Sequence, residues 1–108
     1  MIYELRVYRA LPGRMPALLK RFETTTLKIW ERLGIRQMGF WTTLIGPCNL
    51  ELVYFLAWDS MAERQQKWDE FQADPEWLQA REETEKDGII VGNVASSFLS
   101  PTKFSALQ

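Results

Sequence analysis

Three residues in the opening run IYELRVYR could do chemistry together: Glu4, Arg6 and Tyr8. They stand two apart, so in an extended chain a carboxylate, a guanidinium and a phenol project to one side. Turned toward a closed interior, such groups are desolvated and must pair. They then form either a polar cluster at a ligand cavity or a structural salt bridge; turned outward, they are a solvated edge. Arg64 is a further cation, falling between Met61 and Trp68 on the inner stripe of a helix. It could hold a carboxylate or phosphate bidentately. Equally, it could pair with Glu63 or Asp59, or stack on Trp68. The single cysteine, Cys48, lies in a GPCN turn. With no nearby cation or helix start to lower its pKa, it reads as an incidental turn thiol, and Asn49 as a turn former.

The chain contains no histidine. Ser-His-Asp and Cys-His catalysis, HExxH zinc sites and His-ligated haem are therefore excluded within one chain. Proton transfer at neutral pH would fall to a perturbed carboxylate, Lys, Tyr or the thiol. No CxxC pair is present, and the acidic run Glu82, Glu83, Glu85, Asp87 lacks calcium-loop spacing, so neither metal nor cofactor is expected.

The elements that would position these residues follow from periodicity. Residues 2 to 9 alternate, with Tyr3, Leu5 and Val7 opposite the Glu4 row, and read as a strand. Met15, Leu18, Leu19, Phe22, Thr26, Ile29, Trp30 and Leu33 make one helical stripe, ended by Gly34. Residues 36 to 46 and 50 to 58 read as two strands joined by the short GPCN connection. Ser60 to Glu63 forms a capping box, opening a helix with Met61, Arg64, Trp68 and Phe71 on its inner side. Asp74-Pro75 starts another helix, and residues 89 to 99 supply a last strand before a tail, 101 to 108. The whole is one domain, 1 to 108.

The order is β-α-β-β-α-β, a ferredoxin-like α+β unit: an antiparallel sheet with helices on one face. The other face also carries apolar residues, Val53, Phe55 and Ala57 among them, and a lone protomer would expose them. A homodimer joined through that sheet face is expected. Net charge is −1 with both signs interspersed, which excludes a nucleic-acid groove or polybasic membrane patch. No apolar run approaches a membrane span, and the opening residues form a strand and not a signal peptide, so a soluble, cytoplasmic protein is expected. Tyr3, Trp30, Trp41, Tyr54, Trp58, Trp68 and Trp77 are mostly core filling, with Trp41 and Tyr54 expected to reach a cavity.

The segments IYELRVYRALPGRM, GFWTTLIGPCN, WDSMAER and FQADPEW, with PTKFS near the end, resemble the NIPSNAP family from Ile2 to about Ser105. The resemblance implies a dimeric α+β barrel, two ferredoxin-like units with their sheets packed together. It names no reaction. Eukaryotic members are associated with mitochondria and with vesicle or mitophagy roles, whereas related barrels include cofactor-free monooxygenases, isomerases and haem-binding enzymes. Where many relatives carry histidine in the third strand, this chain has Tyr54. The expected function is a homodimer binding a small apolar or aromatic ligand, or a protein partner, through Glu4, Arg6, Tyr8, Trp41, Tyr54 and Arg64. The alternative is a cofactor-independent monooxygenase- or isomerase-like enzyme.

Overall fold

The computed structural model describes residues 1–108. Strand β1 (Ile2–Ala10) leads into helix α1 (Met15–Arg21), a π-helical segment (Phe22–Thr26) and helix α2 (Leu27–Leu33). Strands β2 (Arg36–Thr42) and β3 (Glu51–Trp58), helices α3 (Met61–Ala73) and α4 (Pro75–Thr84), and strand β4 (Val91–Leu99) complete the chain. All pairings are antiparallel in the order β2-β3-β1-β4, which puts the first strand in the middle and makes the unit ferredoxin-like. No helix is long and apolar enough to cross a membrane.

Local chemistry explains most boundaries. Ser60 Oγ accepts from the Glu63 N–H at 3.1 Å, and the Glu63 carboxylate reaches back to the Asp59 N–H. Asp74 caps α4 by accepting from the Trp77 N–H at 3.1 Å, with Pro75 in the first turn. Gly34 closes α2 in the left-handed region, at φ 78°. The π-helical segment interrupts what the stripe spacing reads as one helix; within it Thr24 bonds back to the Lys20 carbonyl at 2.7 Å. Two stripe members, Leu19 and Met61, stay exposed.

Helices cover one sheet face only, and the Cα envelope is correspondingly thin, 46 × 36 × 19 Å. Between sheet and helices lie Leu52, Tyr54, Leu56 and Trp58 of β3, with Leu18, Phe22, Ile29, Trp30, Trp68, Phe71 and Trp77 from the helices. Glu4, Arg6 and Tyr8 share this helix-covered side. Tyr3, Leu5 and Val7 occupy the open side.

Two further expectations change. The GPCN connection is not a tight hairpin: β2 ends at Thr42, and residues 43–50 form a loop whose Leu44 and Ile45 are 96% exposed. The last strand begins at Val91, while Ile90 is buried ahead of it, its carbonyl accepting from the Leu11 N–H. The tail folds back over one end of the open face, where Tyr3 donates to the Gln108 carbonyl at 3.0 Å. We predict that Asp74→Ala, which removes both the α4 cap and the acceptor for Arg32 (2.7 Å), costs about 1–2 kcal/mol in urea denaturation. Asp74→Asn, which keeps a capping oxygen, should lose less; equal losses would contradict the capping account.

Candidate functional site

One carboxylate organises the buried polar groups. Glu4 is fully buried, and its two oxygens accept five hydrogen bonds. Oε1 receives the Trp58 indole at 3.0 Å and Arg64 Nε at 3.2 Å. Oε2 receives Arg6 Nη1 at 3.0 Å, Arg64 Nη2 at 3.1 Å and the Ser96 hydroxyl at 2.7 Å. Arg64 thus chooses Glu4 over Glu63 and Asp59, and it also stacks between Trp68 and Phe98, 5.1 and 5.2 Å from their ring centres.

Arg6 continues the network into the sheet. Its Nε donates to the Tyr54 phenol at 2.7 Å and its Nη2 to Tyr8 at 3.2 Å, while Tyr54 donates to Tyr8 at 3.0 Å. The guanidinium lies 4.5 Å from the Trp68 ring centre. The strand register explains the assembly: Arg6 faces Tyr54 on β3 and Ser96 on β4, so consecutive helix-facing positions of the central strands meet.

These contacts fix the charge states. Burial alone would raise the Glu4 pKa, but the donors from Arg64, Ser96 and Arg6 outweigh it and hold the carboxyl below its ordinary 4.5. Burial would likewise lower Arg6, yet the two tyrosines and Glu4 hold it firmly protonated. Tyr54 is pushed well above 10, first by burial and then by its neighbour Tyr8, against the opposing pull of Arg6.

The structure brings together Glu4, Arg6, Tyr8, Tyr54 and Arg64. It does not bring in Trp41. A β-bulge separates Gln37, which faces Leu56, from Phe40, which faces Tyr54, and this extra residue moves Trp41 to the open face beside Val53. Gly39 permits the bulge at φ 120°; a Cβ there would meet the Trp41 ring at 2.6 Å. Trp41 is 53% exposed and packs edge-on to Phe55, whereas Phe40 takes the inner place and stacks on Tyr54 at 4.6 Å. Cys48 sits in the 43–50 loop, away from this network.

Beside the network, an open cleft of about 620 Å³ runs between β1, β4 and helices α1, α3 and α4. Arg6 and Tyr8 form its floor with Val91 to Val94, and Arg21, Gln72, Trp77, Arg81 and Glu85 line the helix side. Arg21 is not among the residues singled out from sequence, and Trp77 is read there only as one of the core-filling aromatics. Spacing could have found them: Arg21 follows Leu18 by one helical turn on a buried stripe, and Trp77, Arg81 and Glu85 recur every four residues.

For Glu4 the pH dependence has a definite sign. A carboxyl held below 4.5 in the fold contributes stability that is complete above that value and lost as pH falls through the folded-state pKa. Tyr54, held protonated above 10, contributes stability lost as pH rises beyond 10. Glu4→Gln should therefore cost about 3–5 kcal/mol at pH 7, by leaving two arginines on a neutral amide, and flatten the acid limb of stability against pH. Tyr54→Phe should flatten the alkaline limb alone. Unchanged limbs in urea titrations across pH would refute these assignments.

With this geometry in hand, likeness to known proteins is informative. The NIPSNAP family model matches residues 3–106. Among solved structures, a NIPSNAP family protein with unknown function from Agrobacterium tumefaciens is 32% identical, with a TM-score of 0.85 over 100% of this chain and 94% of that one. An uncharacterized NIPSNAP domain protein from Burkholderia xenovorans is 28% identical, with a TM-score of 0.82 over 97% and 98%. A putative antibiotic biosynthesis monooxygenase from Nitrosomonas europaea has a TM-score of 0.64 over 94% and 98%; at 9% identity that likeness concerns the fold alone. No curated protein sequence matches the chain.

Proposed function

The chain belongs to the NIPSNAP family, and from that premise we propose that it works as a homodimer in which each protomer binds a small aromatic molecule. The observation that carries the reading is the division of the sheet into two chemically different faces. One face carries a satisfied polar network beside an open cleft of a size typical for small ligands. The other carries Tyr3, Leu5, Val7, Val53, Phe55, Trp41 and Leu99 with no helix over them.

An apolar sheet face of this extent is what a second copy would cover, by packing the same patch against itself about a two-fold axis. The tail shields only the end near Tyr3, leaving a recess of about 370 Å³ beneath it, bounded by Met38, Trp41 and Phe55. Leu44, Ile45 and Phe104 add apolar groups that a second copy could cover.

Binding is favoured over acid–base catalysis by the charge states of the network. Glu4 is held ionised, and Arg6 and Tyr54 are held protonated, so none of the three exchanges a proton near neutral pH. The alternative of a cofactor-independent oxygenase or isomerase draws no comparable support from the network.

Light scattering should give twice the 12.7 kDa chain mass, and Trp41→Glu combined with Phe55→Asp should halve it. Calorimetry should show 2-naphthol binding once per protomer, lost in Val94→Trp, which fills the cleft rim. A wild-type mass of one chain would contradict the dimer. Undiminished binding by Val94→Trp would contradict the cleft.

A further inference from the structure

We propose that the ligand of the sheet–helix cleft carries an oxyanion, a carboxylate or a phosphate, held by Arg21 against the Trp77 indole with Arg81 at the rim. This rests on the reading of the cleft as a ligand site and names the chemistry that site selects.

Arg21 carries the argument. It is only 6% exposed, at the end of α1 where the π-helical segment begins. A buried guanidinium normally saturates its fork of N–H donors with acceptors, carboxylates above all. Arg21 makes one hydrogen bond, from Nη1 to the Thr84 hydroxyl at 3.2 Å. Its nearest carboxylate, Glu85, is 3.7 Å away and sits closer to Arg81, at 3.2 Å. Its Nε has no partner at all. Stacking on Trp77, at 5.1 Å from the ring centre, supplies its other close contact. The consequence is visible in its proton affinity, which burial lowers from the usual guanidinium value, with Glu85 and Tyr8 opposing the shift.

A second orphan lies alongside. The Trp77 ring is nine-tenths buried, and its indole N–H has no acceptor. Arg21 and Trp77 both line the cleft, so the two residues that carry these unspent donors border one cavity. Arg6, Arg21 and Arg81 stand against Glu85 as the only carboxylate in that lining, and Arg6 already pairs with Glu4, which it shares with Arg64. An undercompensated buried cation weakens a fold unless something of opposite charge completes it. An oxyanion does so by accepting from the guanidinium beside the Trp77 ring, while the apolar wall of Ile89, Val91 and Val94 takes the rest of the molecule.

The test uses calorimetry at pH 7 with three probes of one ring system: 2-naphthoate, 2-naphthyl phosphate and the neutral 2-naphthol. At least one anion should bind tenfold or more tightly than 2-naphthol, and the better anion identifies the head group. That preference should fall with added salt and vanish in Arg21→Met, while 2-naphthol affinity is retained. Arg81→Gln, on an exposed side chain, should reduce the preference severalfold and serves as the second variant. Thermal melting separates this role from a structural one: without ligand, Arg21→Met should melt at or above wild type, and the anion should raise the melting temperature of wild type only. Equal affinity for 2-naphthol and both anions would overturn the inference while leaving the cleft reading intact. No binding by any probe would overturn both. A marked fall in the ligand-free melting temperature of Arg21→Met would assign Arg21 to stability and overturn the anion role.

Discussion

The helix-facing side of the sheet depends on the Glu4 carboxylate. A bare carboxylate in that position would cost several kcal/mol of desolvation, and no single neighbour could offset it. Its five donors come from Arg6 on β1, Trp58 on β3, Arg64 on α3 and Ser96 on β4. Satisfying it therefore requires both strands that flank β1, together with the helix packed above. Two guanidinium groups around one carboxylate leave a surplus positive charge, which spreads over the Trp68 and Phe98 rings. The tyrosine pair then takes up Arg6's remaining donors and ends the network at the floor of the cleft.

The cleft walls follow a different rule. Around Glu4 both carboxylate oxygens are saturated with donors, as a buried charge must be if it is to stabilise a fold. A few residues along the same side, Arg21 and Trp77 are buried with donors unspent. Arg14 helps hold the cleft wall in place, donating to the carbonyls of Thr84, the last residue of α4, and of Gly88 beyond it.

Much of the fold was legible in the residues because its signals are local. Ser60 with Glu63, Asp74 with Pro75, and Gly34 each act within a turn of their own position, and the alternation in β1 separates its two faces without reference to anything else. What alternation leaves open is which face the helices take. A row of Glu, Arg and Tyr looks like the wet side until partners roughly 50 to 90 residues away, Tyr54, Trp58, Arg64 and Ser96, are folded onto it. Trp41 lies on the open face for a specific reason: Gly39 creates a bulge, and one added residue turns every later side chain over. The glycine in mid-strand was the available signal. Arg21 went unremarked and Trp77 was read as core filling because a cation and an indole on helical stripes are ordinary; their missing partners and their place on the cleft wall appear only in the folded chain.

The central claim is that the sheet's two faces do separate work, ligand on the helix side and self-association on the open side. The five tryptophan indoles report on it directly, since Trp77 lines the cleft and Trp41 the open face. In a proton–nitrogen correlation spectrum titrated with 2-naphthoate, the Trp77 indole resonance should move with saturation while that of Trp41 stays fixed. A shift confined to Trp41, with Trp77 unmoved, would place the ligand on the open face and contradict the account.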